Sequence, residues 1–420
     1  MGFLSELEEE YRKKGMFNSD ECPISYPIGF PILDENLGGI YRRKLPDGTY
    51  YEMVRVGVPA GTITQFGGDS STGKTTAAIQ AAWNIIEPFE DAVVIHFDEE
   101  RATDYERVVA VTGADPEDVA NRYEIVKPPN TFSSIQKYLN AVCEKKEANK
   151  DKMMYHTGVY DMRGKEIIHY IPTVFIIDSM MTITSDNEDT TEISGLTSAG
   201  RETIYRNKLL RNMLKVIGKY NINVFFINHT GNDMDLGKPG GGSKQLTFIE
   251  TGKKLPGGDK SIAWSTSIII FKPVNSKDQI KHEDEEGYNG VPIRAMVVKS
   301  RSSSGGWIAQ QEFVQEYGFD PRLTLMNFAK EKGLISGRNP GCYFTCNPDV
   351  KFDTRRFVEE MDRDPRIVDM LAEQCEPELR KLIRVYDLTG EDTTGNSISS
   401  MNQKKGFRNR IRNMYNRVTK

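Results

Sequence analysis

The sequence predicts an α/β fold, a mostly parallel twisted sheet with helices on both faces. Six apolar, β-branched runs punctuate the middle of the chain: Thr62 to Phe66, Ala92 to Phe97, Thr173 to Asp178, Asn223 to Asn228, Ser267 to Phe271, and Arg294 to Lys299. The first four are separated by stretches that read as helical. Strands that are apolar throughout are buried on both faces, as in parallel sheets covered by crossover helices. Ligands of such sheets bind beyond the carboxyl ends of the strands, so the polar residues after each run are the candidates for chemistry.

The first run leads into Gly68-Asp69-Ser70-Ser71-Thr72-Gly73-Lys74-Thr75, a G-x-x-x-x-G-K-T pattern. A strong helix former, Thr76 to Ala82, follows it. Strand, glycine loop and helix together put free backbone N–H groups at a helix N-terminus, where polyphosphate binds. The segment Gly68 to Thr76 is therefore the predicted ATP site. Lys74 is expected to reach the β- and γ-phosphates, and the Thr75 hydroxyl to ligate Mg²⁺.

The second run ends in Asp98-Glu99-Glu100. Hydrolysis needs a carboxylate to orient and polarise water, and this cluster can supply one. The competing role for Asp98 and Glu99 is to cap the following helix. The third run ends in Asp178-Ser179 and predicts a second Mg²⁺ residue in Asp178, acting through water. The fourth ends in Asn228-His229-Thr230, where Asn228 or His229 can hydrogen-bond a γ-phosphate.

Two long polar segments follow the third and fourth runs. Ser185 to Arg201 is rich in Ser, Thr and Glu. Gly231 to Ser261 holds eight glycines and Lys238, Lys244, Lys253, Lys254 and Lys260. Glycines admit a ligand close to the backbone and lysines neutralise phosphates, so these segments predict contact with a polymeric anion.

Composition sets the surroundings. The chain has 420 residues, 27% charged and 38% hydrophobic, an ordinary soluble balance. No apolar run approaches the ~20 residues that span a membrane, and the acidic N-terminus is not a signal peptide. An odd five cysteines predict reduced thiols and an intracellular, cytoplasmic home. Cys342 and Cys346 have no His near them and do not make a zinc site. Net charge is −5, yet the last twenty residues carry seven Lys or Arg and no acid. Such a tail serves either phosphate backbones or solubility.

The expected domains are an N-terminal lead-in and oligomerisation segment (1–57), an ATPase core (58–310), a C-terminal α/β module (311–388) and a linker with basic tail (389–420). The lead-in begins with a helix-like Phe3 to Lys14. The C-terminal module is expected to hold a β piece at Tyr343-Phe344 and helices over Thr354 to Met361, Ile367 to Gln374 and Glu378 to Tyr386.

In this order, the motifs resemble those of the RecA-type recombinases, most closely the UvsX-like branch of tailed bacteriophages. Gly29-Phe30-Pro31-Ile32-Leu33-Asp34-Glu35-Asn36-Leu37-Gly38-Gly39 resembles the family's approach to the core, and Thr112-Gly113-Ala114-Asp115-Pro116 its G-x-D-P turn. Phe97 to Asp104 resembles its strand-plus-acid motif, which places the water-activating carboxylate at Glu100, and Ile227-Asn228-His229-Thr230 its γ-phosphate sensor, with His229 sensing. The resemblance makes 185–201 and 231–261 the two DNA-binding loops, with Arg201 and the five lysines as their contacts. It makes Lys299 and Arg301 basic residues that reach a neighbour's ATP, as an arginine finger does. Arg301 stands where bacterial members carry Lys.

The activity it implies is ATP-dependent pairing and strand exchange by a helical filament on single-stranded DNA, with double-stranded DNA, loader proteins and single-strand-binding proteins as further partners. Polymerisation would use residues 1 to 25, with Phe17 as an anchor. The setting would be the host cytoplasm or a phage replication compartment. A DnaB-like hexameric helicase is the competing assembly. The segments 41–56 and 145–170, and a basic tail where relatives carry an acidic one, depart from the family pattern.

Overall fold

A computed structural model describes Glu6 and residues 24–161, 164–180, 182–184, 198–229, 231–232, 253–254, 263–274, 290–303 and 305–387. Apart from Glu6, the helix expected over Phe3 to Lys14 lies outside the described residues, as do Phe17 and the basic tail.

The described chain opens with β1 (Ser25–Tyr26), α1 (Pro31–Asn36), a hairpin of β2 (Gly39–Lys44) and β3 (Tyr50–Arg55), and β4 (Val58–Pro59). The glycine-loop strand β5 (Ile63–Gly68) and α2 (Lys74–Ile86) follow, then β6 (Val93–Asp98), α3 (Tyr105–Thr112), α4 (Pro116–Arg122) and β7 (Tyr123–Val126). Next come α5 (Phe132–Ala148), α6 (Lys150–Met153), a hairpin of β8 (Met154–Tyr160) and β9 (Glu166–Tyr170), and β10 (Thr173–Asp178). Helix α7 (Ser198–Tyr220) enters β11 (Ile222–His229), and β12 (Gly231–Asn232) pairs with β13 (Lys253–Lys254). Then come β14 (Ser267–Pro273), β15 (Gly290–Ser300), β16 (Trp307–Val314) and β17 (Gly318–Asp320). The C-terminal part holds α8 (Pro321–Glu331), β18 (Ile335–Ser336), β19 (Cys342–Phe344), β20 (Asn347–Phe352), α9 (Phe357–Arg363), α10 (Arg366–Arg380) and β21 (Arg384–Asp387).

Nine strands form the central sheet in the order β17-β16-β15-β14-β5-β11-β10-β6-β7. The six from β14 to β7 run parallel, and β15, β16 and β17 add antiparallel to that edge. All six sequence-predicted strands are present. Alternation along them divides the core. Phe66, Val94, Val174, Ile176, Phe225 and Phe271 face the α2 layer, while Ile63, Phe97, Phe175, Ile177, Val224 and Phe226 face α5 and α7. At ~1.5–3 kcal/mol per buried large apolar side chain, these two layers fix the sheet's register and hence the strand ends. The turn 112–116 shows how local chemistry fixes the connections. Gly113 ends α3 with φ 64°, Asp115 caps α4, and Pro116 fills its first turn.

The lead-in packs into the same core: Ile24, Tyr26, Ile28, Phe30, Leu33 and Leu37 are buried with α2. The unusual stretch 41–56 is the β2–β3 hairpin, and 145–170 is the end of α5 plus the β8–β9 hairpin. One expectation fails: Glu378 to Tyr386 is not a helix. Helix α10 stops at Arg380, and Arg384–Asp387 is a strand parallel to β2. Long-range pairing by Val385 and Tyr386 overrides the local helical tendency. The helix expected over Thr354 to Met361 opens instead as a 3-10 turn (Thr354–Arg356) before α9. Among the described residues, no helix is long and apolar enough to cross a membrane.

Candidate active site

Four parallel strands end side by side, and each end carries a predicted residue. Gly68 and Gly73 shape the loop after β5. A Cβ on Gly68 would collide with the Phe271 carbonyl, and Gly73 adopts φ 76° at the start of α2. No side chain caps α2, so its first N–H groups open onto the loop. Lys74 is buried and donates to the Asp69 carbonyl at 2.6 Å. Burial lowers its pKa, against the pull of Asp178, Glu100 and Asp69.

Thr75 donates its hydroxyl hydrogen to Asp178 Oδ2 at 2.6 Å. Asp178, at the tip of β10, is fully buried, and its Oδ1 has no hydrogen-bond partner. Burial pushes its carboxyl up to about 7, helped by Glu100 and Asp98 and opposed by the Thr75 hydroxyl and Lys74. A buried carboxylate beside two further acids is a place where a cation is favoured.

The turn after β6 is built by Asp98. Its carboxylate accepts from Ala102 N and Thr103 N, both at 3.1 Å, and pairs with Lys127 at 2.9 Å. Burial would raise the Asp98 pKa, but Lys127 and the two amides outweigh it and hold the group below the usual carboxylate range. Glu99 accepts from Asn130 N at 2.9 Å. Neither acid caps α3; Asp104 does, accepting from Arg107 N. That frees Glu100, whose Oε1 accepts from His229 Nε2 at 3.0 Å. His229 Nδ1 stands 3.5 Å from Ser70 Oγ. Loop, acid and imidazole thus converge from β5, β6 and β11.

Asn228 turns away from this cluster. Its Nδ2 donates to Gln65 Oε1 at 2.9 Å inside the sheet. Lys299 and Arg301 do not approach the glycine loop of their own chain. Both donate to Ala263 O, at 3.2 and 2.6 Å, and β14–β15 pairing sets Lys299 opposite Ile268, toward the far end of β5. Burial, with Arg301 beside it, lowers the Lys299 pKa to about 8.

Of the predicted DNA contacts, Lys238, Lys244 and Lys260 lie outside the described residues. Lys253 and Lys254 form β13, and Arg201 lies in α7; their side chains are outside the described set. Sequence reasoning missed the Asp98–Lys127 pair and Gln65. An N-cap reading of Asp104 before Tyr105–Thr112 would have shown that Asp98 is not the helix cap. No known family model matches the chain, and no curated protein matches it.

Proposed function

We propose that the chain is an ATP-dependent DNA strand-exchange protein of the RecA type, with a RecA-like ATPase core, forming helical filaments on single-stranded DNA. The observation that carries this reading is the convergence of Lys74, Thr75, Asp178, Glu100 and His229 at one edge of a parallel sheet, beneath a glycine loop.

The residues fit ATP with Mg²⁺. The open start of α2 and Lys74 suit phosphates. The Thr75 hydroxyl and the unpartnered Asp178 Oδ1 suit a Mg²⁺ ion held partly by water and phosphate. When bound, Mg²⁺ would neutralise charge on the phosphates. Glu100 would orient a water and take up its proton as that water attacks phosphorus, and the products are ADP and inorganic phosphate. His229 holds Glu100 and lies where a γ-phosphate can displace that contact. The distance of Lys299 and Arg301 from their own loop supports a role at a neighbour's nucleotide, which requires an oligomer.

The test is a strand-exchange assay between circular single-stranded and linear duplex DNA, with negative-stain imaging of the same samples. Joint molecules and open filaments of variable length support the reading. Closed six-fold rings would point to a helicase, and neither DNA response nor assembly would leave a nucleotide-binding regulator.

A further inference from the structure

We infer that Lys127 is a positioning residue for Glu100: it fastens both ends of the turn that presents this acid. The inference rests on the function proposed above.

The turn begins where β6 ends. Arg101 N donates to Asp98 O at 3.4 Å, which closes a four-residue turn with Glu100 at its third position. Arg101 follows with φ 53°, in the left-handed region that a side chain disfavours. A residue held there needs surroundings that fix it, and Glu100 takes its direction from that backbone. The fixing contacts fall on the neighbours of Glu100. Glu99 N donates to Asp178 O at 2.7 Å, and the Glu99 carboxylate accepts from Asn130 N at 2.9 Å. Lys127 supplies the rest. Val126, the last residue of β7, pairs with Phe97, so Lys127 enters opposite Asp98. Its Nζ donates to Asp98 Oδ2 at 2.9 Å and also to Thr103 O. One ammonium group joins the first and last residues of the segment 98–103.

Asp98 is fully buried, whereas the Lys127 side chain is half exposed. A buried carboxylate whose counter-ion is removed must move toward water or take up a proton. Either change loosens the bonds that Asp98 accepts from Ala102 N and Thr103 N at 3.1 Å, and with them the backbone that follows Glu100. A displacement of about 1 Å at a reacting group can cost 10²-fold in rate. Lys74 and Thr75, on α2, bond to Asp69 and Asp178 rather than to this turn. Nucleotide binding and water activation should therefore respond differently to the loss of Lys127.

The experiment compares wild type, Lys127→Met, Glu100→Gln and the double variant Glu100→Gln/Lys127→Met. ATP hydrolysis in the presence of an oligothymidylate gives kcat and KM, titration with a fluorescent ATP analogue gives affinity, and thermal melts report folding. Lys127→Met should lower kcat roughly 10–100-fold, with nucleotide affinity within about threefold of wild type. In the double variant the lysine change should cost less than about twofold beyond Glu100→Gln alone, because Lys127 acts through the acid already removed. A merely structural lysine would lower the melting temperature and leave kcat, measured below the melt, within about twofold of wild type. That result, or full additivity in the double variant, overturns the inference while the proposed function stands. Should Lys127→Met fail to fold, Lys127→Gln, which keeps a donor without the charge, is judged by the same criteria. Turnover unchanged in Glu100→Gln overturns the inference together with the assignment of the acid, and a wild type that does not hydrolyse ATP overturns the proposed function as well.

Discussion

Glu100 Oε1 and His229 Nε2 meet at 3.0 Å although 129 residues separate them in the chain. The contact joins the ends of β6 and β11 beside the glycine loop, and it ties the acid proposed to activate water to the residue proposed to sense phosphate. Replacing Glu100 with Gln keeps the shape and removes the base. Turnover of ATP should fall by about 10²–10⁴-fold, with nucleotide affinity little changed. Steady-state rates beside equilibrium binding of a fluorescent ATP analogue check this, and a matching loss of affinity would reassign Glu100 to binding.

Asp178 should make folding pH-dependent when nucleotide and divalent ions are absent. Its carboxyl sits at about 7 in the folded chain against an ordinary 3.8, chiefly through burial. Between those values the folded state holds a proton that the unfolded state has released, so stability declines as pH rises through this window. Asp178→Asn should flatten the decline and be more stable than wild type at pH 8. Thermal melts at pH 5 and pH 8 compare the two slopes, and equal slopes would contradict the assignment.

Lys146 gives the opposite slope. Buried on α5, it donates to Ile171 O at 2.7 Å and to Tyr220 O, at the end of α7, at 2.8 Å. Burial lowers its pKa from 10.5 to about 7. Above pH 7 the unfolded chain therefore holds the extra proton, and this group's contribution to stability rises with pH. Lys146→Met should remove that rise and cost about 1–3 kcal/mol by leaving two carbonyls unpaired. Denaturant titrations at pH 7 and pH 9 measure both effects.

Lys299 and Arg301 should act across a subunit boundary. Mixing Glu100→Gln chains with Lys299→Ala/Arg301→Ala chains creates composite sites with every group intact. Two nearly inactive proteins in equal amounts should then recover roughly a quarter of wild-type turnover. Strictly additive activity of the two samples would place both residues outside the reaction.

The central strands were legible in the sequence, because buried parallel strands are written as unbroken runs such as Val174 to Ile177, and the candidate residues were chosen at their ends because ligands of such sheets bind there. The juxtaposition of Thr75 with Asp178 follows from neighbouring strand ends once the order is known. What escaped depends on distant partners. Val385 and Tyr386 read as helix until β2 pairs with them, and Lys127, the ion-pair partner of Asp98, arrives from beyond β7. Gln65 is one polar residue in an apolar strand, and nothing local says that Asn228 and Ser265 will flank it.

The most direct measurement is the rate of ATP hydrolysis with and without single-stranded DNA, for wild type and Lys74→Ala. Slow turnover alone, strong stimulation by DNA, and loss of both in the variant are expected. Turnover that ignores DNA, or that survives Lys74→Ala, would contradict the proposed function.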